Sequence, residues 1–357
     1  MLPDDDVKTV QELHHACQSI QAEVAKVLVG QQQVIVELLT ALLSGGHCLL
    51  VGVPGLAKTL MIRSLAKALD VKFNRIQFTP DLMPADITGT EVIQEDRSSG
   101  QRSYRFLPGP IFANLVLADE INRTPPKTQA ALLEAMQEQG VTVGGETHSL
   151  PAPFFVLATQ NPIEQEGTYP LPEAQLDRFM LQVWVEYPDE DDELEIVKRT
   201  TSDAEASITP LLGADQLIRL TSVIRRIPIA DHIARYALRL ARCSRPHSTD
   251  APDFIKGFTL WGAGPRASQY LVLGAKARAV IQGRMHVGIE DIRSVAAPVL
   301  RHRIKTNFHA DAEGITPDEL VRRLLTHVSV QADAPPAPAD VDRLLRPPAT
   351  DASSPAD

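Results

Sequence analysis

Short apolar runs alternate with stretches of helical periodicity in the first half of the chain. An amphipathic helix over Val10–Leu28 and a second helix over residues 31–43 come first. Four later runs have the length and composition of buried strands: residues 48–51, 115–118, 154–158 and 183–187. Helical spacing follows the first of them, at Met61, Leu65 and Leu69. This alternation predicts an α/β fold, with a parallel sheet flanked by helices and buried on both faces.

The second half of the chain is helical in pattern from residue 190 to about residue 330. The segments with this pattern are Ala214–Ile227, Ala230–Ala241, Pro265–Gln282 and Gly288–Val299. We therefore expect an α/β domain over residues 1–188 and a smaller all-helical domain over residues 189–330. The acidic run Asp189–Glu193 lies at this boundary, as a solvated linker or the start of a helix. Residues 331–357 have few large apolar side chains and are predicted to be a disordered tail.

Two segments interrupt the α/β pattern. Residues 89–109 alternate like a hairpin, with Ser98-Ser99-Gly100 as the turn, and residues 140–155 alternate around a turn at Gly144-Gly145. Neither hairpin is needed to close a sheet. Hairpins inserted into a rigid scaffold are natural places for contact with a substrate.

The loop between the first strand and the next helix has the composition of a phosphate-binding loop. It reads Gly52-Val53-Pro54-Gly55-Leu56-Ala57-Lys58-Thr59 and ends at a helix N-terminus, where backbone N–H groups and the helix dipole favour an anion. The two glycines let backbone amides approach phosphate oxygens. Lys58 supplies positive charge for the β- and γ-phosphates, and the Thr59 hydroxyl suits Mg²⁺.

This loop departs from the usual phosphate-loop pattern at one position. Ala57 stands where a second glycine is expected, which is acceptable if that residue has helical φ and ψ. A glycine-rich turn in another kind of α/β protein is the alternative interpretation of the loop.

A pair of carboxylates closes the buried run of residues 115–118. Asp119 and Glu120 are expected at the carboxyl end of a central strand, facing a ligand crevice. Asp119 would hold Mg²⁺ through its water shell, and Glu120 would polarise an attacking water as general base. A solvated Asp-Glu pair at a strand end is the alternative. Together with the loop, the pair predicts a nucleoside-triphosphate hydrolase.

Three further polar residues are candidates for the same chemistry. Asn161 follows the strand at 154–158 and could orient the attacking water, although an Asn-Pro turn without a catalytic part is equally consistent. The guanidinium of Arg178 suits charge on a transferring phosphoryl group, and a surface pair with Asp177 is the alternative. Arg266 opens a helix, where a cation opposes the helix dipole. This position indicates that an anion holds Arg266; a solvated arginine is the alternative.

Composition limits the class of protein. A formal net charge of −10 and a pI of about 5.5 lack the basic footprint of a protein that grips nucleic acid. The odd number of cysteines without CxxC spacing predicts buried thiols in a reducing cytosol: Cys17, Cys48 and Cys243. The ten histidines show no paired metal-ligand spacing, which argues against zinc. Residues 1–6 are acidic and unlike a signal peptide, and the apolar stretch Val34–Val53 is too interrupted for a membrane span, so we expect a cytoplasmic protein.

Taken together, the motifs resemble the MoxR family of AAA+ ATPases over roughly residues 10 to 330. The matching segments are the loop Gly52–Thr59 with its Ala57, Leu117–Arg123, Pro125–Gln129, Ala131–Gln137, Ala158–Pro162, Leu171–Phe179 and Gly264–Ala267. The resemblance implies an AAA+ P-loop core and a helical lid. It also implies a ring, expected to be a hexamer, that binds ATP and Mg²⁺ at subunit interfaces.

The resemblance assigns roles to individual residues of this sequence. Gly52–Thr59 match Walker A, and Asp119 and Glu120 match Walker B. Asn161 matches sensor 1. Arg178 matches an arginine finger acting on a neighbour's ATP, and Arg266 matches sensor 2, with action in cis or in trans left open. The two hairpins match insertions that face the pore of the ring.

The implied function is that of an ATP-hydrolysing chaperone that remodels, matures or activates protein clients, often metal-dependent enzymes, with a von Willebrand factor A domain partner. A helicase-like nucleic-acid motor or loader is the main alternative. The net charge and the absence of an appended DNA-binding motif count against it. A nucleotide-gated scaffold is a third hypothesis, which would not require Glu120 or Arg178.

Overall fold

The computed structural model describes residues 3–95, 102–163, 167–202 and 207–329. The predicted turn Ser98-Ser99-Gly100 and the predicted tail 331–357 therefore lie outside the described residues.

Helices and strands alternate along the first part of the chain. The helices are α1 (Asp4–Ala25), α2 (Gln32–Leu43), α3 (Lys58–Ala68), α4 (Pro84–Thr88), α5 (Pro126–Glu138) and α6 (Glu173–Leu176). The strands are β1 (Cys48–Val51), β2 (Phe73–Gln77), β3 (Gly89–Glu95), β4 (Arg102–Pro108), β5 (Leu115–Asp119), β6 (Gly140–Val143), β7 (Glu146–Ser149), β8 (Phe155–Gln160) and β9 (Leu181–Trp184).

Five of these strands form one parallel sheet in the order β2-β5-β8-β1-β9. Successive residues of β1 serve opposite faces. Cys48 and Leu50 belong to one buried cluster, and Leu49 and Val51 belong to the other. A strand with both faces covered needs a continuous apolar run, which is what β1 supplies. The predicted α/β class with a parallel sheet is confirmed.

The remainder of the chain is mainly helical. Its helices are α7 (Glu190–Thr200), α8 (Ala214–Thr221), α9 (Asp231–Cys243), α10 (Asp253–Phe258), α11 (Pro265–Ile281), α12 (Ile289–Leu300), α13 (Phe308–Ala312) and α14 (Pro317–His327), with a 3₁₀ turn at Ile224–Arg226. Two short strands, β10 (Thr259–Trp261) and β11 (Lys305–Thr306), form an antiparallel pair. The prediction of a helical lid is confirmed, and this small ladder is an addition that helical periodicity did not predict.

The acidic run after the sheet begins a helix. Asp189 is the N-cap of α7, and its side chain accepts a hydrogen bond of 2.8 Å from the backbone N–H of Asp192. Acidic residues in the first turn also stabilise the helix, because they interact favourably with the positive end of its dipole. Of the two interpretations of Asp189–Glu193, the structure selects the helix start.

The lid packs directly onto the rest of the protein. Helix α1 contacts both α3 and α11, so it bridges the α/β part and the lid. Leu13 on α1, Leu65 on α3 and Leu271 on α11 are fully buried in one continuous apolar cluster. An ion pair between Asp6 and Arg226, at 2.8 Å, adds a polar contact between α1 and the lid.

Both predicted hairpins are present in the described residues. Strand β3 pairs with β4 from Gly89 opposite Pro108 to Glu95 opposite Arg102, and β6 pairs with β7 around Gly144 and Gly145. The hairpins contact each other through the rings of Phe106 and His148, which stack with centroids 3.9 Å apart.

The three cysteines are free and buried, as the sequence predicted. Among the described residues, no helix combines the length and the apolar character that crossing a membrane requires.

Candidate functional site

A cavity of about 330 Å³ opens at the carboxyl edge of the sheet. It is lined by Pro54–Leu60, Asp119, Glu120 and Thr159–Asn161. The ends of β1, β5 and β8 meet there because they are neighbours in the parallel sheet. The fold thus brings most of the predicted phosphate loop together with the predicted carboxylates and amide. Arg178 and Arg266 do not line this cavity.

The two loop glycines, Gly52 and Gly55, have different surroundings. A Cβ atom at Gly52 would lie 2.6 Å from the carbonyl oxygen of Val185, so this glycine permits close packing against the chain after β9. Gly55 has φ of +89°, and a Cβ atom there would meet no atom within 4 Å beyond its chain neighbours. The neighbouring backbone therefore adds a second requirement for glycine at position 52, and the approach of both glycines to phosphate stays a prediction.

Ala57 does not have the right-handed helical conformation that the sequence argument assumed. Its φ of 53° and ψ of 23° place it in the left-handed region, as the N-cap of α3. This conformation costs an L-residue about 1–2 kcal/mol relative to glycine. Ala57 therefore occupies the glycine position of the pattern with a strained left-handed backbone. It does not avoid the strain by adopting a right-handed helical conformation.

Lys58 begins α3 and lines the cavity. Its Nζ donates hydrogen bonds to the carbonyl oxygens of Gly52, at 2.6 Å, and Val53, at 2.7 Å. Partial burial lowers the pKa of Lys58, while the charges of Asp119 and Glu120 act in the opposite direction. The loop itself therefore holds the ammonium group at the cavity wall.

The Asp119 carboxylate is nearly buried and fixed by two neighbouring strands. Oδ1 accepts a hydrogen bond of 2.6 Å from Thr159 Oγ1, and Oδ2 accepts from Arg75 Nε at 2.9 Å and Nη2 at 2.7 Å. An ionised carboxylate offers about four acceptor sites, so these bonds leave capacity for a further ligand. Asp119 and Thr59 line the same cavity with the hard oxygen ligands that Mg²⁺ prefers.

Glu120 directly follows β5 with φ of 57° and ψ of 49°, in the left-handed region. Its backbone N–H donates to Thr159 Oγ1 at 2.8 Å. Its Oε2 accepts from Gln77 Nε2 at 2.9 Å and pairs with Arg123 Nη1 at 3.2 Å. The backbone turn and these contacts separate the direction of this carboxylate from that of Asp119.

Asn161 has a buried side chain, 5% exposed, at the end of β8. Its Oδ1 accepts the backbone N–H of Ile163 at 3.3 Å, whereas Nδ2 has no hydrogen-bond acceptor among the described residues. Because a buried amide without a partner costs free energy, these donors favour a ligand in the cavity. This geometry suits an amide that orients water or phosphate.

The two candidate arginines are not among the residues that line the cavity. Arg266 Nη1 donates to Asp177 Oδ2 at 3.0 Å, so the anion expected beside Arg266 is a carboxylate of the protein. Asp177 immediately precedes Arg178. The Arg178 side chain is half-buried and makes no hydrogen bond or ion pair within the described part of the chain.

Several residues that hold this site were not predicted from the sequence. Thr159 bridges the side chain of Asp119 and the backbone of Glu120, while Arg75 and Gln77 reach the two carboxylates from β2. Arg75 and Gln77 share one face of β2, opposite the buried Ile76. That alternation was a visible signal, but only the strand order shows that β2 lies beside β5.

A second cavity of about 280 Å³ adjoins the first. Both are lined by Gly55, Leu56, Ala57 and Leu60. The remaining walls are mostly apolar and come from Val27–Val29, Gln31, Pro188, Ile196, Arg199 and Thr200. These segments are distant in sequence, which is why no local motif predicts this cavity.

A parallel sheet with a phosphate loop, two strand-end carboxylates and a helical lid defines a P-loop ATPase of the AAA class. Residues 47–181 match the ATPase family associated with various cellular activities, and residues 258–324 match the AAA lid domain. Chaperone MoxR1 of Mycobacterium tuberculosis is 41% identical over 320 residues, which cover 88% of this chain and 82% of that protein.

Two further relatives agree. Protein MoxR of Paracoccus denitrificans is 31% identical over 315 residues, covering 83% of this chain and 90% of that protein. A crystal structure of a protein assigned as an ATPase from Cytophaga hutchinsonii is 41% identical, with a TM-score of 0.83, and covers 90% of this chain and 97% of that one. The chain belongs to the MoxR family of AAA+ ATPases. It binds nucleotide and hydrolyses ATP, and the resemblance drawn from its motifs is confirmed.

Proposed function

We propose that this ATPase is a chaperone that remodels, matures or activates protein clients. The observation that carries the ATPase part of the proposal is the cavity that gathers Lys58, both carboxylates and Asn161, whose Nδ2 has no acceptor among the described residues. The 41% identity to a protein named as a chaperone supports a protein client. The inserted hairpins support it further, since β3–β4 exposes the cross-strand pair Ile93 and Tyr104, 61% and 74% exposed.

Within one subunit, we assign the residues as follows. The loop amides and Lys58 bind the triphosphate. Thr59 and Asp119 would hold Mg²⁺, which supplies positive charge to the phosphates when bound. Glu120 takes a proton from the attacking water, and Asn161 Nδ2 orients that water or the γ-phosphate. The mostly apolar second cavity takes the base of ATP, because it shares the loop with the phosphate cavity.

We propose that the subunits form a ring, in keeping with the AAA+ family, and that the ring is a hexamer. Arg178 and Arg266 then act on the ATP of a neighbouring subunit. Two observations support this action in trans: neither arginine lines its own subunit's cavity, and Arg266 is bonded to Asp177, the residue immediately before Arg178. A von Willebrand factor A domain protein is the proposed partner, on the strength of the family resemblance alone.

The Glu120→Gln variant tests both the chemistry and the client. It should still bind ATP and lose turnover about a hundredfold or more, because the general base is removed while the loop is intact. An ATPase assay and ATP titration measure the two effects, with the exposed Glu138→Gln as matched control. Normal turnover would remove Glu120 from this role.

The same variant serves as a trap for clients. We expect it to retain proteins only with ATP, and mass spectrometry should find a von Willebrand factor A domain protein among them. A Lys58→Ala, Glu120→Gln double variant is the control, since it should not bind ATP. Equal retention by the double variant would contradict an ATP-driven chaperone.

A further inference from the structure

The Asp177 carboxylate joins two arginines from different parts of the lid. Arg266, in the first turn of α11, donates to Oδ2 at 3.0 Å, and Arg303, just after α12, donates to Oδ1 at 2.7 Å. Asp177 is the C-cap of α6 and precedes Arg178. One carboxylate therefore connects Arg266 and Arg303 of the lid to the segment that carries Arg178, the proposed arginine finger.

Arg303 is buried, and its guanidinium is fully hydrogen-bonded. Its side chain is 2% exposed, and its five N–H donors all have acceptors. Besides Asp177 Oδ1, these are the carbonyl oxygens of Asp177 at 2.9 Å, Phe179 at 2.6 Å, Met180 at 3.2 Å and Val299. Burial lowers the pKa of Arg303, and the charge of Asp177 opposes this effect. A buried arginine needs such a carboxylate, since an unpaired buried charge is strongly destabilising.

The residues just before Arg303 extend this contact along the chain. His302 Nε2 donates to Phe179 O at 3.1 Å, and Arg301 Nη1 donates to Gln182 O at 3.1 Å. Three consecutive lid residues thus bind the backbone from Asp177 to the second residue of β9. The contact is a continuous seam of hydrogen bonds, which favours movement of this segment together with the lid.

The seam fixes the backbone of Arg178 while leaving its side chain available. The carbonyl groups on either side, those of Asp177 and Phe179, both accept hydrogen bonds from Arg303. Within the described residues, the guanidinium of Arg178 has no hydrogen-bond or ion-pair partner. A fixed backbone and an available guanidinium suit a residue that contacts the nucleotide of a neighbouring subunit.

We propose that Asp177 is a positioning residue, which uses Arg303 to fix the Arg178 backbone and holds Arg266 beside it. One subunit then presents Arg178 from its α/β part and Arg266 from its lid together to the nucleotide of the next subunit. This inference rests on the proposed action of Arg178 across a subunit interface. It assigns the lid a part in catalysis at the neighbouring site, transmitted through one carboxylate.

The Asp177→Asn variant tests the proposal. Asparagine keeps the size and one oxygen for Arg303, but it loses the charge that holds Arg266. We expect kcat to fall about tenfold to a hundredfold, as for a catalytic group displaced by about 1 Å. The Kd for ATP should stay within about threefold, because Asp177 is not among the cavity residues. A kcat within about twofold of wild type overturns the proposal.

A matched control lies on the same short helix. Glu173 pairs with Lys305 of the lid at 3.5 Å, and both side chains are about half exposed. Glu173→Gln removes a contact between lid and core without touching Asp177, and kcat should not change. If Asp177→Asn fails to fold, Arg303→Lys tests the same contact from the lid side. It keeps the charge but loses the planar fork, and it should lower kcat in the same range.

Mixed rings separate positioning from a merely structural role. Asp177→Asn subunits retain an intact loop and Glu120, while Glu120→Gln subunits retain an intact Asp177 and Arg178. Where the second type presents its arginines to the first, the interface is complete, so mixing should restore ATPase activity. Native mass spectrometry verifies that mixed rings form. A damaged fold in the Asp177→Asn subunit would not be rescued in this way.

The same mixture made with Arg178→Ala subunits tells the two levels of proposal apart. Recovery with Arg178→Ala but not with Asp177→Asn overturns the positioning role and leaves action in trans standing. Recovery in neither mixture, with mixed rings present, overturns both. Recovery in both supports Asp177 as the residue that positions the finger.

Discussion

Two residues of the cavity have left-handed backbone without being glycine. They are Ala57, at the end of the loop, and Glu120, after β5. Such conformations are costly for residues with a Cβ, and they persist where the surrounding structure determines them. At Glu120 the turn follows directly after Asp119, which lets adjacent carboxylates make different contacts. At Ala57 the turn starts α3 and directs the chain into the helix that carries Lys58.

Ala57→Gly should stabilise the protein. Glycine adopts this conformation without the Cβ penalty, and part of the gain is lost to the larger entropy of the unfolded chain, so we expect about 0.5–1 kcal/mol. Urea unfolding measures the change. Ala22→Gly, in the right-handed interior of α1, is the matched control and should destabilise by about 1 kcal/mol. A loss of stability in both variants would contradict strain at Ala57.

His47 supports the start of β1 as a neutral side chain. Its Nδ1 accepts the backbone N–H of Val156 at 3.0 Å, and Nε2 lies 3.3 Å from the carbonyl oxygen of Met136. The proton of the neutral ring is therefore on Nε2. Burial lowers the pKa of His47 from 6.5 to about 4. Protonation would remove the acceptor for Val156 and place a charge in the core.

This pKa predicts a loss of stability in mild acid. The unfolded chain takes up a proton near pH 6.5 and the folded protein does so only near pH 4, so stability is complete above the first value and falls between them. From pH 7 to pH 5 the loss from this residue is about 2 kcal/mol. Urea unfolding of His47→Gln at both pH values should show a pH dependence smaller by that amount. An unchanged pH dependence would exclude His47 as its source.

At the scale of elements, the two hairpins form one unit. The ring of Phe106 on β4 stacks on His148 of β7 at an interplanar angle of 9°, and Phe112 packs edge-on against Phe106 at 5.5 Å. A two-stranded hairpin is marginally stable by itself. The second hairpin continues directly from α5 and leads to β8, so it gives the first one a support that is anchored in the sheet.

His148→Ala should loosen β3–β4 while leaving the nucleotide cavity intact. An aromatic pair contributes about 0.5–1.5 kcal/mol, so backbone amides of β3 and β4 should exchange about twofold to tenfold faster. Hydrogen exchange measures this change, and the Kd for ATP should not move. Thr147→Ala is the control, because Thr147 contacts Thr142 at the exposed side of the same hairpin. Unchanged exchange in β3 and β4 would show that the stack does not couple the hairpins.

At the scale of the whole molecule, net charge and the continuous core bear on function. The net charge of −10 disfavours contact with phosphate backbones, which favours the proposed protein client over a nucleic acid. The apolar cluster shared by α1, α3 and α11 makes the lid and the α/β part mechanically continuous. Leu56 of the nucleotide loop also packs against this cluster, so the loop and the lid share one packed core.

Single- or double-stranded DNA should not stimulate ATP hydrolysis. An anionic surface gives little counterion release on DNA, so we expect rates within about 1.5-fold of basal at low salt. The assay is repeated at several salt concentrations, since electrostatic binding weakens steeply with salt. Stimulation that disappears as salt rises would favour a nucleic-acid motor over the chaperone.

The sequence by itself determined the class of fold and the centre of the nucleotide cavity. Gly52–Thr59 and Asp119-Glu120 could be recognised because each is a local segment whose chemistry follows from residue type and from its place at the end of a strand. Buried strands and helices are likewise local, since their periodicity reflects which faces are covered. The left-handed turn at Ala57 is also local, but side-chain pattern does not report the sign of φ.

Only the tertiary structure decided which distant residues meet. Strand order places Arg75 and Gln77 against the carboxylates, and chain packing builds the second cavity from segments that are distant in the sequence. The lid brings Arg303 to Asp177, 126 positions earlier in the chain. Contacts of this kind depend on the free energy of packing the whole chain, so no single segment encodes them.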